Sequence, residues 1–337
     1  MKKTILASAI AAATFSGAAL AQESNLPTVY GNIQYVLNHD NVDGGGSSVE
    51  HRDNGSTLGV MHDHEIAPGL TGFFKVEIDR LGADDINSAN DPEGRFRIDE
   101  AYIGVKGENF GQLWVGTDDT IYELAVTEIS EFYEVALLNQ AVSYDTGEGD
   151  MVQYLSPNFG GLTIGAAVQV NGDDEFGKKS YPWQLAAMYE VDALELAFAV
   201  DSNDGGRAYN RISTVPSENN ENTYGVRASY NLDNLRLTGE FHTRKDVSDT
   251  FGVMGIYTLG KNQFALSYEL TQYDDNFSDA QFADKDIDTV TLQALHNLSD
   301  HMYVYFEGYL GGGDDGVYGV ANKSERSLAS VGAVYYF

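Results

Sequence analysis

The sequence predicts an all-β protein, a 16-stranded antiparallel transmembrane β-barrel. Three observations point there. Apolar and polar residues alternate with period two through about sixteen stretches, most near the roughly 9–11 residues that a tilted strand needs to cross a bilayer. The connections are long and short in turn, as in barrels with long external loops and short periplasmic turns. The composition is 36 glycines, 21 tyrosines and 16 phenylalanines with 6 prolines and no cysteine, which suits strands with aromatic girdles and excludes a disulfide framework.

The alternation starts at Thr28 to Asn38, with Val29, Ile33, Tyr35 and Leu37 on one face and Tyr30, Asn32 and Gln34 on the other. Residues Asp40 to Asn54 read as a polar loop. Ser56 to Ile66 and Leu70 to Arg80 form a pair around the turn Ala67-Pro68-Gly69. In the second of these, Phe74, Val76 and Ile78 oppose Phe73, Lys75, Glu77 and Asp79. Phe96 to Lys106 and Gly111 to Thr117 follow, then a long acidic connection, then Met151 to Leu155 and Leu162 to Val170.

Further strands are expected at Tyr181 to Glu190, Leu194 to Asp201, Thr223 to Asn231 and Leu235 to Arg244. The last five are Phe251 to Thr258, Phe264 to Tyr273, Thr289 to Asn297, Met302 to Leu310 and Ser327 to Phe337, the first of them entered by the short loop Asp246 to Asp249. An even strand number places both termini on the short-turn side, and closure removes the edges that an open sheet would expose.

The first 21 residues read as an address. Lys2-Lys3 precedes the apolar run Ile5 to Phe15, and Ala19-Leu20-Ala21 supplies a cleavage pattern, so a secretory signal peptide is cut before Gln22. Residues 22–337 then form one barrel domain, with no second domain and no run long enough for a membrane helix. The chain has 20 Lys+Arg against 51 Asp+Glu, a net charge of −31, which excludes nucleic acid as a partner and suits attraction of cations.

The acidic connection, residues 118–149, carries Asp118, Asp119, Glu123, Glu128, Glu131 and Glu134 with almost no basic residue. A linker this long in a compact chain is usually functional. Read as a helix, Ile121 to Ala136 gathers Ile121, Ala125, Ile129, Phe132 and Ala136 on one side, with Glu123, Glu131 and Glu134 opposite. The apolar side would pack on a barrel wall and the carboxylates would line a narrowed pore, favouring cations.

Several stretches resemble the trimeric Gram-negative general-diffusion porins. They are Ser56-Thr57-Leu58-Gly59, Ala101 to Gly107 with Phe110-Gly111 and Gly116, Val152 to Gly161, and the closing Val331 to Phe337. The resemblance implies a homotrimer in the outer membrane, among its lipid and lipopolysaccharide, with 118–149 folded inward as a constriction loop. It also implies that Tyr335 and Phe337, at the end of the last strand, are read by the barrel-assembly machinery. Thr57, Gly116-Thr117-Asp118 and Asp99 depart from the family's usual wall arginines, so the basic side of the pore is expected to be depleted. Lys75, Glu77, Arg97 and Asp99 are expected on the pore wall, whereas Glu100 shares parity with Tyr102, expected outward, and is explained only by burial at a subunit interface.

No cofactor or metal site is expected. His62 and His64 share the outward face near a turn, and the aspartate-glycine loops lack a full calcium-loop spacing. The functional expectation is passive diffusion of small hydrophilic solutes and ions with cation preference, not enzymatic activity. A substrate-specific channel, for oligosaccharides as an example, is the alternative; a barrel hydrolase drawing on His39 and His51 is a weaker one.

Overall fold

A computed structural model describes residues 26–79, 81–82, 97–135, 144, 146–170, 181–204, 221–277 and 279–337. The signal peptide expected at residues 1–21 lies outside these residues. Among the described residues, seventeen β-strands form one sheet that closes on itself. They are β1 (Thr28–Val42), β2 (Ser47–Asp53), β3 (Thr57–Ala67), β4 (Leu70–Asp79), β5 (Arg97–Gly107), β6 (Gly111–Thr117), β7 (Met151–Leu155), β8 (Leu162–Gln169) and β9 (Trp183–Val191), followed by β10 (Leu194–Asp201), β11 (Thr223–Leu232), β12 (Leu235–Arg244), β13 (Ser248–Leu259), β14 (Asn262–Tyr273), β15 (Asp286–Asn297), β16 (Met302–Gly313) and β17 (Arg326–Tyr336). One short helix, α1 (Ile121–Val126), follows β6.

The barrel has 16 staves, because β2 and β3 are two parts of one. Both pair with β1. The break between them is held locally: the Asp53 carboxylate accepts from the backbone N–H of Gly55 at 3.1 Å and of Ser56 at 2.7 Å, and Gly55 takes φ +97°. The sequence reading of Asp40 to Asn54 as loop is corrected here. β1 and β2 continue as a hairpin beyond the wall, paired as far as Asn41↔Ser47.

Every neighbouring pair is antiparallel, and β1 with β17 closes the ring from Asn32↔Tyr336 to Val42↔Arg326. Backbone bonds between Gly31 and Phe337, at 3.0 and 3.2 Å, fix the seam's lower end. The alternation in sequence becomes two surfaces. Along β13, Ser248, Thr250, Gly252, Met254 and Ile256 are buried while Phe251, Val253 and Tyr257 face out. The outward set is a continuous apolar belt. Tyr189, Tyr230, Tyr257, Phe264 and Tyr335 lie exposed near its short-turn end, and Trp183, Tyr224 and Phe251 near the other. A belt of this kind is stable only against hydrocarbon, and closure satisfies every strand's backbone within it.

One register shift matters for the lumen. Opposite Glu77 and Ile78, β5 carries Glu100 and Ile98, so Asp99 is an extra residue. The bulge resets the phase of β5. Ile98 and Ile103 point outward, and Glu100 and Tyr102 share a face with Lys75. The expectation that Tyr102 faces out, and the subunit-interface account of Glu100, are thereby overturned.

Inside, some strands are cut to fit a neighbour. The Tyr305 ring lies over Gly332, where an added Cβ would meet Cζ at 2.2 Å. Gly332→Leu is therefore expected to lower barrel stability by about 1–3 kcal/mol through overpacking. The heat-dependent mobility shift of the folded barrel on a denaturing gel measures it.

Candidate functional site

Residues 118–135 do not project from the barrel. They lie against the inward faces of the wall from β7 round to β16. Thr120 caps α1, accepting from the Glu123 N–H at 3.2 Å. Ile121, Tyr122, Ala125, Val126, Ile129, Phe132, Tyr133 and Val135 are buried. The wall makes room with glycine: a Cβ at Gly225 would meet the Tyr122 hydroxyl at 2.5 Å, and one at Gly252 would meet Ile129 Cδ1 at 2.8 Å.

Polar anchors complete the seat. The Tyr122 hydroxyl and His242 Nδ1 share a hydrogen bond of 2.8 Å. Glu240 accepts from the Ile129 N–H at 3.0 Å. Glu307 accepts from the N–H groups of Glu134 and Val135 at 2.8 and 2.9 Å. Tyr133 donates to Ser267 at 2.9 Å, and Asn54 donates to the Glu134 carbonyl at 2.6 Å. Each bond satisfies a backbone or side-chain group that would otherwise be buried without a partner.

The helix is shorter than the periodicity predicts. It stops at Val126, where Thr127 bonds back to Glu123 through its N–H and its hydroxyl. The apolar set still packs as expected for Ile121, Ala125, Ile129 and Phe132, but Ala136 lies outside the described residues. The carboxylates do not form one stripe. The Glu134 carboxylate accepts from the Tyr303 hydroxyl at 2.6 Å on the β16 wall, away from Glu123. Asp119, Glu123 and Glu148 instead gather at the loop's root, with carboxylate oxygens within 4.8 Å of one another. Glu131 is exposed.

On the adjoining wall, Lys75 Nζ lies 2.6 Å from Glu100 and 3.9 Å from Glu77. Arg97 reaches Asp79 at 3.1 Å and Asp99 at 3.5 Å. Glu77, Asp99 and Glu100 also bring their oxygens within 4.8 Å. Carboxylates therefore outnumber cations on both sides of the loop's root.

A family model for the Gram-negative porin matches residues 7–316. This chain belongs to that family. It is 30% identical over 302 residues to a monosaccharide porin of Halomonas sp, covering 84% of this chain and 74% of the relative. Among solved structures, the anion-selective porin from Comamonas acidovorans superposes with a TM-score of 0.72 at 18% identity, covering 93% of this chain and 99% of that one. A trimer form of OmpT from Vibrio cholerae gives 0.65 at 16% identity, covering 94% and 100%. The molecule is thus an outer-membrane porin, a passive channel and not an enzyme.

In this porin Glu128 departs from the sequence expectation. It is not an open pore carboxylate but is clamped by Arg227 and Arg236 of the wall, with Arg236 Nε donating at 2.6 Å. The expected shortage of basic wall residues is also corrected in part, since Arg227 and Arg236 both face inward. The sequence carried a signal for them. In Arg236, Thr238, Glu240, His242 and Arg244, charged and polar residues alternate with Leu235, Leu237, Gly239 and Phe241, the pattern of a lumen-facing row. His62 and His64 share the outward face with rings 6.2 Å apart, as the parity predicts. Phe337 and Tyr335 are exposed at the seam.

Crowding shifts the loop's titration. Burial, then the neighbouring carboxylates Asp119, Glu131 and Glu148, push Glu123 up to about 8. Burial with Glu100 and Asp119 does the same for Asp118, also to about 8. Burial raises Glu131 to about 6 and Glu134 to about 7. Burial likewise opposes ionisation of Glu128, but the two arginines outweigh it and its net shift is downward. A raised carboxylate pKa means that the group is neutral in acid and gains charge as pH rises through the shifted value. The loop therefore becomes more negative mainly between about pH 6 and 8, set by these four groups. Single-channel recordings from about pH 5 to about pH 9 are expected to show cation conductance rising across that window. A profile complete by pH 5 would place these carboxylates in open water.

Proposed function

We propose that this porin passes small hydrophilic solutes and ions with a preference for cations, and that residues 118–149 form its constriction. The observation that carries the reading is the Asp119, Glu123 and Glu148 cluster beside a wall where Lys75 stands among Glu77, Glu100, Asp118 and Asp119. Low-dielectric walls focus such a field, which concentrates cations without binding them tightly. Residues 1–21 would serve export, and Tyr335 and Phe337 assembly. The assembled form is a homotrimer in contact with lipid and lipopolysaccharide, in line with the trimer form of its structural neighbour.

A second reading is selective passage of a neutral sugar, favoured by the monosaccharide porin of Halomonas sp, 30% identical to this chain. The two readings are compatible, since an uncharged solute does not feel the net field.

Reversal potentials in asymmetric KCl test the first reading: the sign for potassium preference is expected, and a chloride sign overturns it. Lys75→Gln removes the positive charge nearest Glu100 and is expected to raise the potassium-to-chloride permeability ratio roughly threefold, as for a salt-screened unit charge about 7 Å from the ion path at water's dielectric, which shifts the two ions by about 0.3 kcal/mol each in opposite senses. Liposome swelling decides the second. Monosaccharides entering much faster than uncharged solutes of equal size would support it, and equal rates would exclude it.

A further inference from the structure

We propose that Glu128 sets the porin's charge selectivity by cancelling arginines of the far wall, rather than by attracting cations itself. The inference rests on the constriction reading above, but concerns a different group of residues. Glu128 meets Arg236 as a fork: Nε donates to Oε1 at 2.6 Å and Nη2 to Oε2 at 2.7 Å. Arg227 Nη1 also donates to Oε2. Thr238 and Ser229 hydroxyls donate at 2.9 and 3.1 Å. Both carboxylate oxygens are thus filled by the wall.

The second carboxylate, Glu195 on β10, faces the same arginines. Arg236 reaches its two oxygens at 2.7 and 2.8 Å, and Arg227 lies at 3.5 Å. Asn231 donates to it at 3.0 Å. Two arginines and two carboxylates make a neutral set. Three of the four belong to the wall, and only Glu128 arrives with the loop. Arg227 Nε also donates to the Ala125 carbonyl at 2.9 Å, tying the same arginine to the end of α1.

The wall on its own therefore carries an excess positive charge, from Arg227 and Arg236 against Glu195. The loop removes that charge when it docks. Bidentate, partly buried pairs are strong and little screened by salt, so the cancellation should persist at high ionic strength. The open carboxylates near Lys75 are then left to set the sign of the field. Glu128 is a positioning and specificity-determining residue that acts through two others.

The experiment compares permeability ratios in a KCl gradient for Glu128→Gln, Arg227→Gln and the double variant, each first shown to be folded by its heat-dependent gel shift. Glu128→Gln uncovers one positive charge, and the potassium-to-chloride ratio is expected to fall roughly threefold on the same dielectric argument. Arg227→Gln is expected to raise it by a similar factor. The double variant is neutral again and is expected to return near the parent ratio. An unchanged ratio in Glu128→Gln overturns the proposal. So does a double variant that stays at the low value, because the effect would then come from a displaced loop and not from uncovered charge. If Glu128→Gln does not fold, Arg227→Gln alone decides, and no rise in its ratio overturns the proposal. The shifts are read relative to the parent, so they stand or fail whatever sign the parent channel shows.

Discussion

The structure depends on one docking event, the seating of a long loop on the inside of its own barrel. A segment leaving the sheet gives up ladder hydrogen bonds, and its backbone must find other partners or water. Here the wall supplies them. Glu240 and Glu307 accept N–H groups from Ile129, Glu134 and Val135, and Gly225 and Gly252 clear space for Tyr122 and Ile129. A side chain at either glycine would collide with the loop. The inner wall is thus built for the loop as much as for water.

That seating divides the loop's acidity into two populations. On the far wall, Glu128 is consumed by arginines. Near the loop's root, Asp119, Glu123 and Glu148 crowd one another. The same residue type does opposite things because of its neighbours. A carboxylate between two guanidinium groups ionises easily and is electrically silent from a distance. A carboxylate among others resists ionisation, and any charge it does hold remains uncompensated.

The bulge at Asp99 has a comparable effect on the wall. Side chains alternate across a strand, so one extra residue reverses the faces beyond it. Without it, Arg97 could not share the lumen face with the Lys75–Glu100 pair and reach Asp79 at 3.1 Å. The acidic face beside the loop's root is therefore a product of register as well as of composition.

The sequence by itself determined the barrel. Period-two alternation and loop lengths are local properties, and they fixed the strand order, the two faces of the strand that carries Phe74, Val76 and Ile78 opposite Phe73, Lys75, Glu77 and Asp79, and the apolar side of the loop at Ile121, Ala125, Ile129 and Phe132. The row from Arg236 to Arg244 was equally legible, although its partners were not. Only the tertiary structure decided that Glu128 meets Arg236, 108 positions away, that α1 ends at Val126, and that Glu100 points inward. Those outcomes depend on which wall the loop crosses and on a single-residue bulge. Neither leaves a periodic trace, because pairing across a barrel is set by closure and register rather than by spacing along the chain.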